Sequence, residues 1–329
     1  MATCRHADAI PKTPENPSSS SSMSTTFIAG REVTIGEARH SDVFEDMFEV
    51  AGPTVDGTLS DTPQAVPMYD NPSDLSSLIK ALYDGVTSDP TDPTDFFQLA
   101  GVLRLSTKYF ANRIRSQVIQ LLLKTWTSTL EGHDEMVKKA LAAPVVNNLT
   151  YPYVHPLHVL NLAHETNTQI LKPSAYYFLS VYQLQELLEG KHPKLAVKHP
   201  SRPASTLSPA DIRDYTLMYQ YRITSVLDFI RGFCHRYTSN PKCGEVEVCG
   251  RQFAHLVGRL HRSWQPKTGA LYFIRQVIGE ARSTASICSL CRSDFVSKAE
   301  QLRLELWDHL PSVIGLPSWS ELQERDLAV

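Results

Sequence analysis

The stretch "VPMYDNPSDLSSLIKALYDGV", Val66 to Val86, spells out one structural unit with both ends marked. Val66, Met68 and Tyr69 form a short apolar run that predicts a strand. Asn71 is a helix cap by residue type, and Pro72 suits the first helical position because no amide donor is needed there. Leu75, Leu78, Ile79, Leu82 and Tyr83 then recur at i, i+3, i+4, i+7 and i+8, one apolar face of a helix. Gly85 stands just past the last periodic residue, where a left-handed cap is common. A helix this short is marginal alone and must pack on something.

The same periodicity continues on both sides. Upstream, Val43, Phe44, Met47 and Phe48 share a helical face in "SDVFEDMFEV" (Ser41 to Val50), with Ser41 as cap. Turn-rich residues 51–65 and 87–95 read as loops. A helix is predicted from Phe96 to about Tyr109. Another covers roughly 111–126, with Ile114, Val118, Leu121, Leu122 and Trp126 inward and Arg113, Arg115 and Lys124 on its other sides. Beyond that the pattern is helical, over 134–142, 155–166, 172–189, 209–238, 250–263, 269–281 and 295–310. The Pro-rich "KHPKLAVKHPSRPAS" (191–205) reads as a surface loop. In the tail "LELWDHLPSVIGLPSWSEL", residues Trp307, Leu310, Ile314, Leu316 and Trp319 read as anchors docked on a core.

Composition sets the outer bounds. The chain has 329 residues, 42% hydrophobic and 20% charged, enough for one or two domains with real cores. Its 32 basic and 35 acidic residues leave a net charge of -3, which argues against nucleic-acid or membrane partners. No apolar run approaches the roughly 18 residues a membrane span needs. Residues 1–24, with serines from Ser18 to Ser22, are expected to be disordered because they bury too little apolar surface. No secretory signal is read there, so a cytoplasmic or nuclear setting with reduced cysteines is expected.

Four stretches carry a resemblance to the BTB (POZ) domain. "RHSDVFEDMF" (Arg39 to Phe48) is similar to the family's Ser-x-x-Phe-x-x-Met-Phe helix. "VPMYDNPSDLSSLIKALYDG" resembles its strand and the helix ending in Tyr-x-Gly. "FFQLAGVLRLSTKYFANRIRSQVIQLLLKTW" (Phe96 to Trp126) resembles its closing helix pair, and Leu304 to Trp319 the ending of a large set of fungal BTB proteins. The resemblance implies an α+β lobe over 25–131, a short sheet flanked by helices, followed by a helical BACK-like region over 132–329. It also implies a protein-interaction module, adaptor or scaffold, whose partner is another BTB chain or a cullin-type ligase scaffold. Phe48 is a candidate anchor for that partner. Only Thr25 to Gly36 is available for the family's opening strand pair, so the first strand is missing and homodimerisation is not carried over.

The sharpest chemical signal is Cys288-x-x-Cys291, two thiols at a spacing that clasps one zinc ion through a tight turn. Cys243 and Cys249 supply a second pair, and four sulfurs complete a tetrahedral structural site. The five-residue gap between Cys243 and Cys249 is wider than usual, and His235 or His255 could replace one ligand. The competing readings are free thiols packing as small hydrophobes, and a redox dithiol, which needs a βαβ context. His155, His158 and His164 in "YVHPLHVLNLAHE" invite a catalytic search. Pro156 starts a helix there, which leaves His155 at its cap, and capping or interhelical bonding is the expected role. No nucleophile elbow, metalloprotease or phosphate-loop motif occurs, so no enzyme is expected. Asn148-Leu149-Thr150 matches a glycosylation pattern without a secretory context. The alternative to the interaction module is a zinc-stabilised structural or regulatory protein acting through the helical C-terminal half.

Overall fold

The computed structural model describes residues 68–88, 92–142, 154–266 and 268–328. Thr25 to Gly36, the Ser41–Val50 segment with Phe48, the loop 51–65, Cys4 and Asn148 to Thr150 lie outside the described residues.

The helices are α1 Pro72–Asp84, α2 Pro93–Lys108, α3 Asn112–Leu122, α4 Leu130–Leu141, α5 Pro156–Glu165, α6 Lys172–Leu179 and α7 Leu184–Glu189. Then come α8 Pro209–Leu227, α9 Val246–Ser263, α10 Ala270–Ser283, α11 Ser289–Asp308, α12 Leu310–Val313 and α13 Trp319–Leu327. Short 3-10 turns lie at Gln169–Leu171 and Pro193–Leu195, and a π-helix at Asp228–Cys234 continues α8.

No strand forms among the described residues, so the expected α+β lobe with a short sheet is corrected to helices. Met68 and Tyr69 are irregular, and Tyr69 is exposed. A strand needs a partner ladder, and this segment is held differently. The Asp70 carboxylate accepts from Lys108 Nζ at 2.6 Å and from the Tyr109 hydroxyl, which draws the segment onto the end of α2.

The helix ends follow the local code. Asn71 Oδ1 accepts from Ser73 N at 2.9 Å, Pro72 fills the first position, and Gly85 ends α1 at φ 76°. Asp92 Oδ1 accepts from Thr94 N at 2.7 Å, so α2 begins before Phe96. The deepest face of α1 is Asp74, Leu78 and Ala81, with Leu75 and Leu82 half-buried beside it. Gly101 on α2 is what lets Asp74 in, because a Cβ there would collide with the carboxylate. Asp74 in turn accepts from the Ser201 hydroxyl.

Two apolar cores result. The first runs from Leu78 through α2 to α8 and back to Trp307, Leu310, Ile314 and Leu322. It passes without interruption across residue 131. The C-terminal anchors dock as expected: Trp307 stacks on Trp319 with centroids 5.4 Å apart, and its Nε1 donates to Ser128 O at 3.0 Å. The second core spans Val226 to Ala299 and is built on Phe229, Phe253, Phe273, Ile274 and Phe295.

Three helices belong to both cores. α8 offers Tyr215 and Met218 to the first and Val226 to the second, and the π-helix then adds Phe229, Ile230 and Cys234 to the second. The rod of α8 and the π-helix after it thus serves both cores. α10 and α11 span both in the same way, through Leu271 and Phe273, and through Trp307 and Phe295. Arg222 rivets the junction. It is buried and donates to Ser180 O and Oγ at 2.8 and 3.1 Å, and to Pro266 O and Thr268 O at 2.5 and 3.2 Å. A continuous helix would bond the Ser180 carbonyl to residue 184. Arg222 takes that carbonyl, and the expected helix over 172–189 breaks into α6 and α7.

Candidate metal centre

Two helix starts and one turn bring four cysteines together at the end of the second core. Asn240 Oδ1 accepts from Lys242 N at 2.9 Å, and Cys243 N donates to Asn240 O at 2.8 Å, a tight turn that presents Cys243. α9 begins three residues later and carries Cys249 in its first turn. Cys288 is the N-cap of α11, and Cys291 follows within that helix's first turn.

The four sulfurs lie within 4.8 Å of one another. Cys243 Sγ is 3.8 Å from Cys249 Sγ and 3.6 Å from Cys288 Sγ. Tetrahedral zinc at about 2.3 Å from each sulfur places neighbouring sulfurs about 3.8 Å apart. Disulfides need about 2.05 Å, and these four cysteines are free. His235 and His255 are exposed and outside the group, so neither replaces a sulfur. The fifth described cysteine, Cys234, is buried in the same core but not part of the cluster, and burial pushes its thiol up to about 12.

Each sulfur also accepts a backbone N–H. Asn240 N donates to Cys291 Sγ at 3.3 Å, and Glu245 N to Cys243 Sγ at 3.4 Å. Cys288 N donates to Cys249 Sγ and Cys291 N to Cys288 Sγ, both at 3.4 Å. Amide donors and two helix N-termini favour the thiolate over the thiol. The Cys291 amide leads in holding Cys288 at about 7. Burial pushes Cys291 up to about 12. The Cys288 amide pulls Cys249 down, but burial and the neighbouring sulfurs outweigh it and raise that thiol. Four bare thiolates would repel one another, and a divalent cation at their centre removes that conflict. A Cys4 donor set with satisfied outer-shell donors fits a structural metal.

The floor under the cysteines is aromatic. Tyr237, Phe253 and Phe295 meet with centroids 4.7 to 5.1 Å apart. The Tyr237 hydroxyl donates to Asp294 Oδ2 at 2.8 Å and to Cys291 O at 3.0 Å, tying the turn before Cys243 to α11.

The histidines take structural roles. His155 caps α5, with Nδ1 accepting from Leu157 N at 3.3 Å. His192 and His199 repeat the device, each followed by Pro and each accepting from the amide two residues on, at 3.2 and 3.1 Å. His155, His158 and His192 are buried, and so are Leu195 and Ser201, so segment 191–205 is partly core rather than a surface loop. His164 meets Asp211 at 2.9 Å. Burial would raise Asp211, but bonds from His164, Tyr176 and Ser208 overrule it and hold the carboxyl well below the usual range.

No helix of the described residues is long and apolar enough to cross a membrane. No protein-family model, curated protein or solved structure matches this chain. The likeness to BTB proteins therefore rests on the four quoted stretches alone.

Proposed function

We propose that the chain is a non-enzymatic helical scaffold whose C-terminal half is fastened by one structural zinc ion on Cys243, Cys249, Cys288 and Cys291. The observation that carries this is the convergence of four sulfurs within 4.8 Å. The ion joins the turn before α9 to the start of α11, two points 45 residues apart between Cys243 and Cys288. No open coordination position is needed, which is the mark of a structural rather than catalytic site. The shifted histidines support the same reading, because His133, His155, His158 and His192 are buried as helix caps and packing groups of the first core rather than around a cleft. The test is metal analysis of the purified full chain. About one zinc per chain is expected, lost in Cys288→Ser/Cys291→Ser. A folded, metal-free chain whose melting ignores a chelator would sink the reading.

An adaptor role toward another BTB chain or a cullin scaffold is carried only by the resemblance. Affinity capture should use the full chain, because a cut at residue 131 would tear the first core.

A further inference from the structure

The net charge of -3 averages over two unlike parts. Residues 228–299 hold eleven Lys or Arg against five Asp or Glu, a net +6, and the rest of the chain carries -9. The expectation of no nucleic-acid partner was drawn from the average.

α9 concentrates the basic excess. Arg251, His255, Arg259 and Arg262 recur at i, i+4, i+8 and i+11, and all four are exposed. They form one stripe about 16 Å long. It lies opposite Cys249, Phe253, Leu256 and Leu260, which face the second core. Arg259 pairs with Glu280 at 2.7 Å, whereas Arg251 and Arg262 meet no carboxylate among the described residues. Gly250, Ala254 and Gly258 lie beside the stripe and are exposed, and a Cβ at either glycine would meet nothing. The only acidic residue of the helix is Glu247, in its first turn.

We propose that the outer face of α9 binds the phosphate backbone of duplex DNA without reading its sequence. Arginine forks match phosphate oxygens in pairs. The small residues let the helix backbone come close, and the major groove of B-DNA admits an α-helix where that of RNA does not. Single strands are gripped by aromatic platforms, and the stripe has none. A membrane needs large apolar side chains on the inserted face, and a protein partner needs a central apolar anchor. Beside the arginines only Val248, at one end, answers that description. The proposal depends on the metal reading only through the first turn of α9, which Cys249 pins to the centre.

The experiment is fluorescence anisotropy of an arbitrary DNA duplex with the full chain, its zinc content measured on the same sample. With three phosphate contacts, affinity should fall roughly 40-fold between about 50 and 200 mM salt. Arg251→Glu/Arg262→Glu should weaken binding at least about tenfold and flatten the salt dependence, while retaining zinc. Arg113→Glu, exposed on α3, should change it less than about twofold. Absence of duplex binding, or equal binding by the double variant, overturns the proposal. So does equal or tighter binding to single-stranded RNA, polyglutamate or phosphatidylserine vesicles, which would assign the face to that class. A zinc-free chain that binds duplex keeps the proposal and removes the metal reading. A zinc-loaded chain that ignores duplex does the reverse.

Discussion

The first core is large and mainly apolar, with Trp126, Tyr176, Phe96 and Phe178 fully buried. The second is smaller, and its outer end is closed by sulfur rather than hydrocarbon. The difference shows how core size sets the means of stabilisation. Apolar burial offsets conformational entropy only where enough surface is removed from water, and small cores commonly add a disulfide or a metal. Here the small core leans on its neighbour through α8, α10 and α11, and closes its far end with four cysteines.

Metal removal should break this contrast most sharply. Chelation at neutral pH is expected to cost the second core on the order of 5 kcal/mol or more, since metal binding is coupled to folding. Amides of α9 and of the first turn of α11 should then exchange rapidly by hydrogen–deuterium exchange, while α2, α5 and α6 stay protected. Uniform exchange across both cores would contradict their separation.

Arg222→Met comes next. It strips the donors from Ser180 O, Pro266 O and Thr268 O and leaves those carbonyls in the junction without them. A loss of about 3 kcal/mol is expected, with one denaturant transition splitting into two. A single transition at unchanged midpoint would show that Arg222 does not couple the cores.

Acid should act on the first core by a route the second lacks, since all the buried histidines among the described residues are in the first. Burial holds His133 down to about 3 and His155 down to about 2. The unfolded chain takes up these protons below about pH 6.5, so it binds more protons than the native state and stability falls as pH drops. Near pH 5 each of the two histidines should cost about 2 kcal/mol, and the loss should deepen toward pH 3. Trp126 and Trp307 sit in this core, so their fluorescence checks the outcome, with or without chelator. Unchanged emission down to about pH 4 would refute it.

The departures from expectation have a common origin. α11 starts at Ser289 rather than near 295 because a cysteine serves as its cap, and cap rules favour Ser, Thr, Asp and Asn. The run at Met68 and Tyr69 is strand-like by residue type but pairs with no strand among the described residues. The buried His-Pro caps at 155 and 192 read locally as a cap and a loop, and only their surroundings bury them.

By itself the sequence determined what acts within about four residues. The cap at Asn71, the stop at Gly85, the helical periods and the Cys288–Cys291 pair all follow from local sterics and hydrogen bonding. Tertiary structure alone decided which faces meet. It brought Cys243 beside Cys288, placed Arg222 between two cores and let α8 with its π-helical extension serve both. Such choices depend on packing between segments far apart in the chain, and no local pattern encodes that distance.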